Sequence, residues 1–136
     1  MEEQEVEKRN IVIAKFDGWK VKKLSPFAEE LGRNDLFDWE KEVRPNTFAT
    51  NYGNSFDYNN SWDLLMPVVQ KINHTHNDKK IIGRDLQYTI GILLNGGYFG
   101  DNKFPREKVP LTLENLWLRV YDYVDYELKK EAKKWK

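Results

Sequence analysis

Cysteine is missing altogether from this chain of 136 residues, which excludes disulfides, thiolate metal sites and a cysteine nucleophile. That absence suits a reducing, cytoplasmic setting. Long apolar runs are missing too. The longest candidate, Ile90 to Leu94, is interrupted by Gly91 and falls far short of the roughly 18 residues needed to cross a bilayer, so no membrane association is expected. The opening Met1-Glu2-Glu3-Gln4-Glu5 lacks the basic-then-apolar order of a secretory leader. Net charge is zero, which removes the general electrostatic reason to expect nucleic acid as a partner. Neither a phosphate-binding Gly-x-x-x-x-Gly-Lys-Ser/Thr loop nor a Gly-x-Ser-x-Gly nucleophile elbow occurs.

What is present describes an ordinary folded protein: 40% apolar and 32% charged residues, in a length that suits one domain over 1–136. Charge is unevenly placed. Residues 1–9 carry four Glu against Lys8 and Arg9, and residues 129–136 carry five Lys against Glu131. Lysines at the end of a helix suit the negative end of its dipole, so the basic C-terminus reads first as a solvated helix end.

Four helices are legible. Residues 2–17 present Val6, Ile13 and Phe16 on one face and stop at Gly18, a residue suited to the left-handed C′ position, although β-branched Ile11-Val12-Ile13 equally suits a short strand. Ser25-Pro26 offers an N-cap and a proline at N1, with Gly32 as the stop, for a short helix over 26–31. Residues 62–73 bring Trp62, Leu65, Val68, Val69 and Ile72 to one side, with Ser61 as N-cap and Pro67 as an internal kink. A last helix over 113–134 starts at Thr112 and gathers Leu113, Leu116, Trp117, Val120, Val124 and Leu128 in one arc. Residues 86–94 alternate Leu86, Tyr88, Ile90, Ile92 and Leu94, as a strand with one buried face does. Asn95-Gly96 then signals a hairpin, returning through Tyr98-Phe99. The expected fold is therefore α+β: a small antiparallel sheet, centred on that hairpin, sandwiched between amphipathic helices. Residues 33–60, rich in Asn, read as mostly loop.

The chemical candidates are few. His74 and His76 are the only histidines; zinc needs three or four ligands, and the polar surroundings make these solvated loop residues, so no metal site and no cofactor are expected. Glu127 and Glu131 fall in the apolar arc of the last helix, where two successive acids mark the helix running out into water. No catalytic residue is assigned. In the 33–60 segment the rings of Phe37, Trp39, Phe48, Tyr52, Phe56 and Tyr58 serve either to pin the loop to the core or to meet a partner. Tyr52, Phe56 and Tyr58 are the candidate interaction surface.

One block resembles a known group. Tyr58-Asn59-Asn60-Ser61-Trp62-Asp63-Leu64-Leu65-Met66-Pro67-Val68-Val69-Gln70-Lys71-Ile72 is similar to the Tyr-x-x-Ser-Trp-Asp-x-x-Met-Pro-Val-Val-x-Lys-Ile stretch of small proteins of phages, prophages and Bacteroidetes-type genomes. Ile13 to Trp19 resembles their N-terminal helix, and Leu116 to Leu128 their closing helix. The group resembles the phage ABA-sandwich proteins, which implies a helix–sheet–helix layout and no particular activity. Three functions follow as expectations: a non-enzymatic accessory or interaction protein acting on a host or phage protein; a small-ligand or nucleic-acid binding domain using the aromatic loop 46–60 and the basic C-terminal end; or a hydrolase using carboxylates such as Asp57 and Asp63.

Overall fold

The computed structural model describes residues 2–76, 86–94 and 109–134. Helices and a three-stranded antiparallel sheet make an α+β fold. The chain divides into two compact units, residues 1–56 and 57–136.

The first unit opens with α1 (Glu3–Asp17). Its stop is as expected: Gly18 takes φ 106°, the Gly18 N–H reaches the Lys15 carbonyl, and the Trp19 N–H bonds to that of Ala14. This is the Schellman pattern that satisfies the last carbonyls of a helix. The chain then enters β1 (Lys20–Leu24) and, after Ser25 alone, α2 (Pro26–Leu31). The Ser25 hydroxyl accepts the Phe27 N–H at 3.2 Å, the capping anticipated from Ser25-Pro26. Gly32 at φ 61° closes α2 in the same way as Gly18 closes α1.

Residues 33–60, expected to be mostly loop, hold the rest of the sheet. β2 (Phe37–Arg44) and β3 (Thr47–Asn51) form an antiparallel hairpin. Its two-residue turn is Pro45-Asn46, with Asn46 at φ 62°. Proline first and a positive-φ residue second is what a type II turn demands. β1 pairs antiparallel with β2 on its other side, giving the order β1-β2-β3. Along β2, Phe37 and Trp39 fall on one face while Asp38, Glu40 and Glu42 fall on the other, the period of two that a strand imposes.

The strand expected over 86–94 is corrected. Residues Leu86–Leu94 form a helix, α4. Thr89 and Leu93, four apart, are both fully buried, and Leu94 joins them; that spacing is helical. Ile90 and Ile92, on the face expected to be buried, are only half-buried, so alternation alone did not decide the conformation of this apolar run. The proposed Asn95-Gly96 turn and the Tyr98-Phe99 return lie outside the described residues. Among the described residues the hairpin is the one over 37–51.

In the second unit α3 (Trp62–His76), α4 and α5 (Leu113–Lys134) pack together. α3 runs three residues past the expected end, so His74 sits exposed on a helix and not in a loop. Ser61 caps α3 through the Leu64 N–H at 3.3 Å, and Thr112 caps α5 through the Asn115 N–H at 3.0 Å. The core contains Leu65, Val68, Val69 and Ile72 from α3, Leu93 from α4, and Leu116, Trp117, Val120 and Val124 from α5. Trp62 was expected in this core and is instead 42% exposed. The buried Thr89 hydroxyl donates to Asn73 Oδ1 at 2.6 Å, so the polar pair costs little desolvation.

Candidate functional site

A groove of about 580 Å³ runs along the first unit between α1 and the sheet. Its floor is apolar: Ile11 from α1, Val21 from β1, and Phe37 and Trp39 from β2. The size lies in the range of ligand-binding clefts. Two devices hold the floor. The Trp39 and Trp19 rings each meet Phe56 edge-on, with centroids 5.5 Å apart, the geometry aromatic quadrupoles favour. Asn54, also in the lining, accepts the Trp39 indole N–H at 2.9 Å and gives its own amide hydrogen to the Asp35 carbonyl at 2.6 Å. On α1, Asn10 donates to the Phe56 carbonyl at 2.7 Å, and Asp17 Oδ1 meets Lys41 Nζ on β2 at 2.9 Å.

The rim is charged and largely pre-paired on its acidic side. Arg33 grips Asp35 with two bonds, 3.0 Å and 2.7 Å, and stands 3.7 Å from Glu7. That hydrogen bond, more than the bare charge, raises the Arg33 pKa and lowers that of Asp35. Glu5 pairs with Arg9 at 3.1 Å. The basic side is different. Lys8 and Lys15, seven residues apart on α1 with Ile11 between them, line the groove, and neither is in an ion pair among the described residues. Glu2, the acid without such a pair, stands at the N-cap, about 20 Å along the helix from Lys15. The lining contains no serine, threonine, histidine or tyrosine.

The residues singled out in the sequence are not brought together. Tyr52 is 60% exposed, while Phe56 and Tyr58 are buried, so of the three only Tyr52 offers a surface. Phe56 instead serves the pinning role, through Trp19 and Trp39. Asp57 and Asp63 are both exposed and do not line the groove. His74 is exposed, and among the described residues no three His, Asp or Glu side chains are placed to hold a metal ion. No helix of the described residues is long and apolar enough to cross a membrane.

Two features escaped the sequence reading. The stripe Lys8, Ile11, Lys15 is legible at helical spacing, on a different side of α1 from Ile13 and Ala14. Asp38 is nine-tenths or more buried, and neither of its carboxyl oxygens has a hydrogen-bond partner among the described residues. It lies on the sheet face opposite Phe37 and Trp39, in register with Lys23 of β1. An acid flanked by two aromatic residues in an alternating run is the signal that marks it. Comparison with known protein families, with curated proteins and with solved structures finds no match.

Proposed function

We propose that this chain is a non-enzymatic interaction protein, and that the α1–sheet groove is where its first unit receives a partner. The observation that carries this reading is the groove itself. An apolar floor, held rigid by Asn54 and the Phe56 ring cluster, opens beside a strand whose five residues are all exposed. Val21 of its lining is exposed, and so are Leu24, Phe27 and Leu31 of the same unit. The resemblance of the 58–72 block to phage and prophage proteins supports a host or phage protein as that partner, and the lack of cysteine supports a cytoplasmic meeting place.

Site-specific photo-crosslinking tests the reading. A photoreactive residue at Val21 is expected to capture one defined protein in cells of the source organism or its host. The same residue at Phe48, exposed on β3, is expected to leave that protein uncaptured. Equal capture from both positions, or none from Val21, contradicts the proposal.

A further inference from the structure

We infer that the groove's occupant is an extended acidic segment of a partner protein that adds to the sheet as a fourth strand along β1, with acidic residues alternating with apolar ones. This rests on the interaction reading above and names the chemistry it requires.

Among the described residues β1 is an edge strand, paired to β2 alone. Among the described residues no backbone hydrogen bond outside the ladder involves Lys20–Leu24, which leaves the main-chain groups on its outer side to pair with an incoming strand. Peptide recognition by strand addition uses such edges: main-chain bonds supply affinity and alternate side chains supply selectivity. The sequence of β1, Lys20-Val21-Lys22-Lys23-Leu24, sets which strand fits. Lysines and an irregular register, here between Val21 and Lys23, are how edges are kept from pairing indiscriminately. A second copy of β1 would bring three lysines against three, and like charges opposite one another destabilise a strand pair. An acidic strand reverses that sign.

The two faces of β1 differ in what they ask of the incoming strand. Val21 and Leu24 are in register with Trp39 and Phe37, so they lie on the groove side. Lys20 and Lys23 are in register with Glu40 and Asp38, on the opposite side. Side chains alternate between faces in any strand. The matching segment therefore places apolar residues toward the groove and acids beside Lys20 and Lys23. Each of those lysines would then stand between two acidic rows, the sheet's own and the partner's. Among the described residues neither lysine is in an ion pair. The Lys20 and Lys23 charges therefore remain available to the incoming acids.

A capped synthetic peptide alternating valine and glutamate is the probe, with binding to the full chain followed by fluorescence anisotropy. Binding is expected, weakening as salt rises because exposed charges are screened. The valine–lysine peptide is expected to show no binding, and so is the valine–glutamate peptide N-methylated at every second residue. Lys20→Glu with Lys23→Glu should lower affinity at least about tenfold, since like charges across an interface are strongly disfavoured. Lys22→Glu, at the register irregularity, repeats the test should the double variant lose its fold. Equal binding of the valine–lysine peptide, or binding that survives N-methylation, overturns the proposal. If Val21 captures a cellular protein while the acidic peptide fails to bind, strand addition is wrong and the interaction reading stands. If Val21 captures nothing, both fall.

Discussion

Replacing Asn54 with alanine should destabilise the first unit by about 2–4 kcal/mol, and the sum can be worked bond by bond. Asn54→Ala removes the acceptor of the Trp39 indole N–H, a bond of 2.9 Å to a ring only 3% exposed. That donor is left unpaired on an almost fully buried ring, and a buried orphan of this kind costs about 1–3 kcal/mol. The bond to the Asp35 carbonyl, 2.6 Å, is lost as well. Asp35 is exposed, so water replaces the donor and only the net value of a hydrogen bond disappears, about 1 kcal/mol. The Phe37 N–H lies 3.4 Å from Asn54 Oδ1, beyond the usual range of about 2.7–3.2 Å, and adds little. Urea denaturation followed at the backbone amides of residues 20–51 measures the change. Asn54→Asp keeps an acceptor for Trp39 and should lose less than Asn54→Ala. In a double-mutant cycle, Trp39→Phe removes the orphan donor, so the alanine substitution should cost about 1–2 kcal/mol less in that background. An Asn54→Ala variant within about 0.5 kcal/mol of the parent, inside the range of ordinary surface substitutions, would refute the clamp.

Trp117→Ala, in the core of α5 at 3% exposure, should cost about 3–5 kcal/mol, while Trp62→Ala, on the exposed start of α3, should cost less than about 1.5 kcal/mol; chemical denaturation of both variants checks the order. Asp38→Asn should stabilise the protein by about 1–2 kcal/mol, because an amide is less costly to bury than a carboxyl group whose two oxygens have no hydrogen-bond partner among the described residues; a lower denaturation midpoint would show that the carboxyl group is held. The Arg33 hydrogen bond depresses the Asp35 pKa, so the stabilisation from this pair is present above the unfolded aspartate value of about 3.9 and is lost as pH falls through the lower folded value. Carboxyl carbon shifts during an acid titration should give Asp35 a lower midpoint in the parent than in Arg33→Gln.

The helices α1, α2, α3 and α5 were legible because their punctuation is local. Gly18 and Gly32 stop α1 and α2 where left-handed glycine is needed, and Ser25, Ser61 and Thr112 cap where their hydroxyls meet a free N–H. The sheet was misplaced because its signals compete. In 86–94 apolar residues occupy both sides of the run, and burial there follows a spacing of four, at Thr89 and Leu93, that tertiary packing decides. In 37–44 the alternation was plain in Phe37-Asp38-Trp39-Glu40, yet the surrounding asparagines pointed to loop. Those asparagines do other work: Asn46 makes the tight turn, and Asn54 ties the chain back onto β2. The aromatic residues of that segment were read as one group, whereas the fold separates them, burying Trp39, Phe56 and Tyr58 and leaving Phe48 and Tyr52 exposed. The groove was not legible, because its floor joins residues of α1, β1 and β2 that only the hairpin's register brings together.

The most direct test of strand addition at β1 is amide hydrogen exchange of Lys20–Leu24 with and without the valine–glutamate peptide. The free strand should exchange its outward-facing amides rapidly, and the peptide should slow them by at least about tenfold while leaving α3 and α5 unchanged. Peptide that binds with no new protection in β1, or with protection confined to β3, would contradict the account.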